Sequence, residues 1–395
     1  MEKVSERDRQ TLVDFPDEII RQVESPCYLI SEDVVKRNCE KLDSIQQRSG
    51  AKILLALKAF ALPALFPLIS SYLHGVCASG PIEAQLGSEE FGREVHTYAP
   101  AYSAQQMERV ICYSDHILFN SVAQWQTHSS AIESCDRQIG IGLRVNPGHA
   151  EVETDLYNPC LPGSRFGLAA EDLKGLDLSN IDGFHFHALC EQNADVLVRV
   201  LESFEQRFGK YIDQLKWVNF GGGHHITRDD YDLELLVDTI NAFRSRHNGI
   251  QVYLEPGEAV VLNAGVFVTS VLDTINNGID IAVLDCSAET HMPDVLAMPY
   301  RPHIVASGTP KEFAHDYRLG GISCLAGDII GDYSFNEQLM IDQKLILTDM
   351  ALYSFVKSTT FNGVELPSIY TWSEQRKKTT LIKSFGYSDF KNRLM

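Results

Sequence analysis

The position of one lysine in the sequence suggests that its amine takes part in covalent catalysis. Lys58 follows directly on the apolar run ILLAL, and a charged ammonium is costly to bury unless it is paired or chemically consumed. Desolvation makes a lysine amine nucleophilic toward an aldehyde, so forming a Schiff base would remove that cost. The alternative is a structural lysine whose amine reaches solvent from the end of a strand.

Three consecutive glycines form a second candidate site. Gly221, Gly222 and Gly223 follow the segment WVNF and precede a helical pattern. Without side chains, their backbone N–H groups can converge on an anion at a helix N-terminus. The triplet therefore predicts a phosphate-binding loop, although three glycines also occur as a plain flexible turn.

Two further side chains suit a flat, nitrogen-containing ring. Glu255, in the segment YLEPGEAV, could keep a pyridine nitrogen protonated, so that the ring absorbs an electron pair. His187, in the segment HFHAL, could stack on such a ring. The alternatives are a solvated carboxylate at a turn and a hydrogen-bonded core histidine.

The elements that would position these residues read as repeated βα units. Between them lie helical patterns such as IEAQLGSEEF, SAQQMERVI, ADVLVRVLESFEQRF and DLELLVDTINAFRS, with apolar residues three and four apart. Eight short apolar strand candidates are KILLALK, GVCAS, EVHTYA, HILFN, IGLRVN, DGFHFHAL, KWVNFGG and QVYLEP. This alternation predicts an α/β fold with a (β/α)8 TIM-like barrel, in which functional residues lie at the C-terminal ends of the strands.

The pattern changes after Gly257. Segments such as VFVTSVLDTI, DIAVLD and QKLILTDM, separated by Gly, Asn and Asp, indicate a second, mainly antiparallel β domain. The early strand candidate CYLI has no place among the eight and could pair with this domain. We therefore expect a barrel over residues 31–265, and a β domain formed by residues 1–30 and 266–395.

Taken together, these motifs resemble a known family. Lys58, His187, the glycine triplet and the EPG motif at Glu255 resemble the fold-type III pyridoxal phosphate enzymes, which include alanine racemase and the ornithine, arginine and diaminopimelate decarboxylases. The segments GGISCLAGD and DMALYSF extend the resemblance and favour the decarboxylases. The resemblance implies that Lys58, His187, Glu255 and Cys324 are catalytic. It further implies that the cofactor is bound by Lys58, His187, Gly221, Gly222, Gly223, Glu255, Gly257 and Tyr353.

One branch of that family is especially similar. The segments ALKAF, HFHALCEQ, NFGGGHHIT, LEPGEAV and HMPDVLAMPYRP resemble the decarboxylases of carboxynorspermidine and carboxyspermidine, and Glu258 follows EPG where ornithine and diaminopimelate enzymes usually carry arginine. Decarboxylation of another basic amino acid is the alternative. A racemase is disfavoured, because racemases of this fold place an arginine at the ring nitrogen. A non-catalytic binding protein is disfavoured as well, because such a protein would need neither Cys324 nor a C-terminal domain with an acidic pocket, and both are expected here.

The resemblance also implies substrate contacts and a partner. A substrate with secondary and terminal amines needs carboxylates away from the ring, for which Asp328 and then Asp294 are the candidates. Arg165, in GSRFG, could orient a carboxylate or a loop. Related decarboxylases are homodimers with shared sites, so we expect Cys324 and Asp328 to complete the partner's barrel site.

Composition narrows the classes of partner. The formal charge of −19 disfavours nucleic acid and anionic membranes, and the charged N-terminal segment is followed by no apolar signal region. Nine cysteines without a C-x-x-C pair predict neither a disulfide framework nor a zinc ribbon, so no metal site is expected. These features favour a cytoplasmic enzyme acting on a small cationic substrate.

Overall fold

The computed structural model describes residues 5–298 and 300–395. Contacts within the chain divide it into two units. One unit is Lys36–Val260, and the other joins the N-terminal residues up to Val35 to the chain from Val261 onward. The boundaries between the units therefore lie after residues 35 and 260, whereas the sequence suggested boundaries after residues 30 and 265.

The strands are short, apart from one of twelve residues. In chain order they are β1 Cys27–Ser31, β2 Lys52–Ala56, β3 Gly75–Ala78, β4 Glu94–Tyr98, β5 His116–Phe119, β6 Gly140–Arg144, β7 Gly183–His185, β8 Trp217–Asn219, β9 Gln251–Leu254, β10 Gly265–Asn276, β11 Asp280–Leu284, β12 Ser307–Gly308, β13 His315–Gly320, β14 Ile329–Phe335, β15 Lys344–Thr348, β16 Ser368–Ser373 and β17 Lys378–Lys383.

The longer α-helices belong to the first two thirds of the chain. In chain order the helices are α1 Glu6–Asp14, α2 Asp17–Gln22, α3 Glu32–Ser49, α4 Phe66–Ser70, α5 Pro81–Leu86, α6 Ala104–Tyr113, α7 Val122–Glu133, α8 Ala194–Ile212, α9 Leu233–Arg246, α10 Glu258–Val261, α11 Ala288–His291, α12 Asp294–Ala297, α13 Ser354–Lys357 and α14 Tyr387–Arg393.

Strands β2 to β9 form a closed barrel in chain order, and every neighbouring pair is parallel. The predicted (β/α)8 barrel is therefore confirmed. Trp217 fills part of the interior because the facing strands carry glycine: a Cβ on Gly142 or Gly183 would lie 2.5 or 2.1 Å from its ring. A large side chain opposite small ones is how a narrow barrel fills its core.

The predicted helical segments are helical, with two irregularities. The pattern IEAQLGSEEF contains α5, which ends at Leu86 and continues as a π-helical turn over Gly87–Phe91. Between β6 and β7 the chain forms only the short 3₁₀ turns Asp155–Tyr157 and Ala170–Leu173, so this unit of the barrel lacks an α-helix. The connection is therefore a long loop that begins at the C-terminal end of β6.

The other unit is built on one sheet of nine strands. Its order is β12-β14-β13-β11-β10-β1-β16-β17, and β15 also pairs with β10. Only β1 with β16 and β11 with β13 are parallel, so the predicted mainly antiparallel sheet is confirmed. The CYLI segment forms most of β1, between β10 and β16.

Alternate residues of the central strand β10 pack into two separate cores. Phe267 packs on one face of the sheet with Leu347, whereas Val266 and Val268 pack on the other. Helices α1 and α2 cover that second face through Phe15 and the apolar residues of α2. This is the period-two pattern of a sheet buried on both faces.

Within residues 5–298 and 300–395, none of the helices combines the length and the apolar character that crossing a membrane requires.

Candidate active site

A buried carboxylate lies at the C-terminal end of the barrel strands. Glu255 follows β9, and its side chain is 11% exposed. Its Oε1 accepts a 2.7 Å hydrogen bond from Nδ2 of Asn219, at the end of β8. Burial opposes ionisation, but the neighbouring His185 and the Asn219 hydrogen bond lower the pKa of this carboxyl to about 2. Glu255 is therefore an anion at neutral pH.

Two histidines of the β7 region lie beside this carboxylate. Nε2 of His185, the last residue of β7, is 3.3 Å from Oε2 of Glu255. Nδ1 of His187 accepts a 3.0 Å hydrogen bond from the N–H of Gly222. Burial lowers the pKa of His185, and it lowers the pKa of His187 well below its usual value. A neutral His187 that accepts at Nδ1 carries its proton on Nε2.

The glycine triplet is held so close to its neighbours that side chains are excluded. A Cβ on Gly222 would lie 2.3 Å from the carbonyl oxygen of Glu255, and one on Gly223 would lie 2.0 Å from that of Leu189. Gly221 and Gly223 also have φ values of 73° and 84°, in the left-handed region that favours glycine. The triplet thus brings backbone N–H groups to the end of the barrel that carries Glu255 and His187.

Lys58 lies at the same end of the barrel as these residues. Strand β2 ends at Ala56, and Lys58 lies in the following turn with an exposed side chain. The strand ends before the apolar run does, so the backbone turns between the buried Leu57 and the exposed Lys58. Next to this turn, a Cβ on Gly257 would lie 2.4 Å from that of Ala59, so the EPG loop approaches it closely.

An arginine is enclosed by two aromatic rings at the end of β6. The guanidinium of Arg144 lies 4.7 Å from the ring centre of Tyr98 and 4.4 Å from that of Phe166. Its Nη2 donates to the carbonyl of His187 at 3.4 Å. The stacking holds a cation in place without a carboxylate partner.

A second charged pair follows the glycine triplet. Nε2 of His225 is 2.7 Å from Oε2 of Glu258, the residue after EPG. Burial opposes protonation, but the hydrogen bond to Glu258 raises the pKa of His225 above its usual value. Burial also raises the pKa of Glu191, another member of this cluster. The hydrogen bond to Glu258 therefore favours protonation of a histidine two residues beyond the glycines, in a chain that has Glu258 in place of an arginine.

The remaining candidates of the β domain lie on irregular segments. Cys324 is exposed, and its N–H donates a 2.7 Å hydrogen bond to Oδ1 of Asn362. Tyr353 has a φ of 45°, and the amine of Lys357 lies 5.2 Å from its ring centre. Left-handed backbone at a tyrosine is strained, and such strain is concentrated at functional positions.

The two predicted substrate carboxylates have partners within their own unit. Asp328 is 3% exposed, and it accepts backbone hydrogen bonds from Ala288 at 2.7 Å and Ser323 at 3.1 Å. Asp294 accepts both of its hydrogen bonds, at 2.7 and 2.8 Å, from Nζ of Lys357. These contacts favour a positioning role over the substrate contact that the sequence suggested.

Arg165 is exposed on the loop after β6, and its guanidinium lies 4.2 Å from the ring centre of Phe166. Its carbonyl oxygen accepts a 2.7 Å hydrogen bond from Nδ2 of Asn120, at the end of β5. This backbone contact ties the loop to the barrel. The Phe166 ring is thus contacted by two guanidinium groups, that of Arg165 and that of Arg144.

Sequence reasoning overlooked His185 and Asn219. Both end a barrel strand, and both contact Glu255 from neighbouring strands. The signal that could have identified them was their position, since His185 is two residues before His187 on the same side of a strand. Pairing across strands, which brings Asn219 to Glu255, is not visible in one sequence.

A barrel with a lysine, a glycine triplet and a buried carboxylate at its C-terminal end defines a class of cofactor-dependent enzyme. Residues 27–351 match the family described as "Pyridoxal-dependent decarboxylase, C-terminal sheet domain". The chain belongs to this family of pyridoxal-dependent decarboxylases.

Particular relatives are similar over nearly the full length. The chain is 42% identical to the carboxynorspermidine/carboxyspermidine decarboxylase of Campylobacter jejuni, covering 93% of this chain and 98% of that protein. It is 41% identical to the carboxyaminopropylagmatine decarboxylase of Synechocystis, covering 94% and 95%. The crystal structure of the Campylobacter jejuni carboxynorspermidine decarboxylase with norspermidine matches with a TM-score of 0.87 and 41% identity, covering 94% of this chain and all of that one.

Proposed function

We propose that this chain decarboxylates a carboxylated polyamine, carboxynorspermidine or carboxyspermidine, with pyridoxal phosphate held covalently by Lys58. The observation that carries the chemistry is the buried, ionised carboxylate of Glu255, fixed by Asn219 and His185 at the mouth of the barrel. A buried anion in that place favours a cationic partner, and a protonated pyridine nitrogen is such a partner.

The other residues fit the same group. Lys58 would provide the amine and His187 would pack on the ring. The loop that begins with the glycine triplet would hold the phosphate, although the N–H groups of Gly221 and Gly222 already donate to Asn219 and His187. His225, whose pKa is raised by its hydrogen bond to Glu258, lies close in sequence to the triplet and would add positive charge there when protonated. Gly257 allows the EPG loop to approach Ala59, and Tyr353 is the proposed contact from the β domain.

When bound, the cofactor supplies an electron sink for the pair released as CO2 leaves. Glu255 sustains that sink because its low pKa keeps it charged. Cys324 then gives the proton of its Sγ to the α-carbon of the product and regains one from water. Its thiol is exposed and can therefore exchange protons with solvent.

The substrate assignment rests on the similarity to the Campylobacter jejuni enzyme. A second candidate is carboxyaminopropylagmatine, because the Synechocystis decarboxylase of that name is almost equally similar. All three compounds carry a carboxylate at one end and a cationic group at the other. They differ in the length and the terminal group of the distal arm, so a pocket far from Lys58 must discriminate among them.

We further propose that the enzyme is a homodimer in a reducing, cytoplasmic compartment. The dimer would place Cys324 of one chain at the barrel of the other, as the family resemblance implies. All nine cysteines are free thiols in the structure, which supports the compartment.

The experiment is a substrate panel with CO2 release as the readout. Purified enzyme is given carboxynorspermidine, carboxyspermidine, carboxyaminopropylagmatine, ornithine, arginine and diaminopimelate at equal concentrations. The highest kcat/KM is expected for one of the first two. A higher value for carboxyaminopropylagmatine would establish the second candidate, and a preference for ornithine, arginine or diaminopimelate would refute both.

A further inference from the structure

A second cluster of ionisable side chains lies in the barrel, at the N-terminal ends of the strands. Glu94 is the first residue of β4, His96 is two residues further on the same strand, and His116 begins β5. His96 and His116 are register partners across the two strands. Because alternate residues share a face of a strand, all three side chains point to the same side.

The distances within this cluster are short. Nε2 of His116 lies 3.2 Å from Oε1 of Glu94, and Nε2 of His96 lies 3.6 Å from Oε2. One ligand atom from each of the three residues lies within 4.8 Å of the others. Ligands around a tetrahedral zinc ion with bonds of about 2.0 Å are separated by about 3.3 Å. The two histidine-to-carboxylate distances are already close to that value.

Several polar atoms of the cluster are buried without a hydrogen bond among the described residues. They include both ring nitrogens of His96, which is 1% exposed, and Oε2 of Glu94. A buried polar atom without a hydrogen bond is rare in a stable structure and needs a physical explanation.

We propose that Glu94, His96 and His116 bind a divalent transition-metal ion, with Zn²⁺ as the preferred ion. Imidazole nitrogens with one carboxylate oxygen are a ligand set that suits Zn²⁺ in proteins. Nε2 of His74 lies 3.1 Å from Oε2 of Glu94, and His74 would orient this carboxylate from outside the ligand set. Nothing in the proposed decarboxylation requires this site, which lies at the opposite end of the strands from Lys58.

Two of the three proposed ligands border a cavity. Glu94 and His116 line a cavity of about 670 Å³ at this end of the barrel, together with Asp115 and Asp182. These two carboxylates favour entry of a cation, whereas Arg93 and Lys216, which also line the cavity, oppose it. A three-ligand site with an open position accepts water or a small anion.

One side chain competes directly with the ion. Nζ of Lys52 lies 3.7 Å from Oε2 of Glu94, and the hydroxyl of Tyr253 lies 3.3 Å from Oε1. Lys52 is 31% exposed and can turn toward solvent when an ion takes its place. The sequence predicted no metal because the ligands are dispersed over two strands and form no short spacing motif.

The experiment uses the full-length holoenzyme without a polyhistidine tag. After removal of metal with EDTA and dialysis, Zn²⁺ is titrated and metal content is measured by mass spectrometry. Co²⁺ is then substituted, and its ligand-field absorption is recorded. We expect about one ion per chain, a Co²⁺ spectrum of nitrogen and oxygen ligands in tetrahedral geometry, and a higher thermal midpoint with metal.

Two variants and a matched control locate the site. His116→Asn and Glu94→Gln should abolish stoichiometric binding. His149→Asn should retain it, because His149 and Glu151 form a half-buried pair of similar spacing, 2.9 Å, outside the cluster. Absence of stoichiometric Zn²⁺ in the wild-type enzyme would overturn the proposal, and this measurement needs no variant to fold. Binding that survives both substitutions would overturn it as well.

Discussion

Nδ2 of Asn219 donates a 2.7 Å hydrogen bond to Oε1 of Glu255, and this contact joins the ends of the neighbouring strands β8 and β9. Together with His185 it fixes a charged carboxylate in a buried place. The position of this carboxylate therefore depends on the pairing of these strands.

Glu255→Gln should keep the cofactor bound but lower kcat on the order of 100-fold, because the amide can hold the site together but cannot stabilise a cationic ring nitrogen. Cofactor content by absorbance and kcat by CO2 release are measured on the same sample. Glu205→Gln is the matched control, since Glu205 pairs with Arg246 and His247 away from the site. Loss of cofactor with normal kcat after reconstitution would contradict this role for Glu255.

Lys58→Ala should abolish both the visible absorption of the lysine-bound cofactor and the decarboxylase activity, because no other amine takes its place. Lys210→Ala is the control, since that amine lies over Tyr211 at the end of α8. Spectra and CO2 release test the two effects. An unchanged spectrum in the Lys58 variant would remove this residue from the proposed mechanism.

The pair of His225 and Glu258 predicts a pH dependence of stability. Because the folded-state pKa of His225 is raised, its contribution is fully present below the unfolded value of about 6.5 and is lost as pH rises through the folded value. The difference in thermal midpoint between wild type and His225→Asn should therefore shrink as pH rises above 6.5. Glu258→Gln should show the same trend, and the double variant should add little. A difference that is constant with pH would refute the ion pair.

Asp328→Asn should destabilise the β domain by about 2 to 4 kcal/mol, because an amide cannot accept all of the backbone hydrogen bonds that the buried carboxylate accepts. Thermal unfolding and KM for the polyamine substrate are measured together. A raised KM with an unchanged thermal midpoint would restore the substrate contact first suggested by the sequence. Asp316→Asn is the control, since Asp316 is exposed on β13.

Mixing two inactive variants tests the proposed shared site. Lys58→Ala and Cys324→Ala proteins, refolded together, should regain up to about a quarter of the wild-type activity per chain. Half of the dimers in a random mixture are heterodimers, and each heterodimer has one intact site. CO2 release is compared with that of each variant refolded alone. If subunits exchange and no activity returns, Cys324 acts within its own chain.

The sequence predicted the barrel well because its pattern is local. Each unit of the barrel has its own apolar strand, and most have a periodic helix, so all eight strands could be read without knowing their partners. Contacts between strands were less visible: the pairing that brings Asn219 to Glu255 joins residues that are distant in sequence. The exposure of the Lys58 side chain was not visible for a related reason, since an apolar run does not reveal where the backbone turns.

The polar partners of Asp328 and Asp294 could not be read from the sequence either. A carboxylate near a predicted site resembles a substrate ligand until its hydrogen bonds are known. Asp328 accepts from backbone N–H groups, which every residue has, and such donors leave no mark in the sequence. Lys357, the partner of Asp294, lies far along the chain on a separate short helix.

Strand β1 has both of its neighbours, β10 and β16, far downstream in the chain. A ribosome adding about 5 to 20 residues per second needs about 10 to 50 s to deliver the nearer of them. The barrel strands are contiguous in the chain and can pair during that interval. The apolar segment CYLI therefore emerges before either partner strand and stays unpaired while the entire barrel is synthesised, which leaves its backbone groups open to wrong pairing.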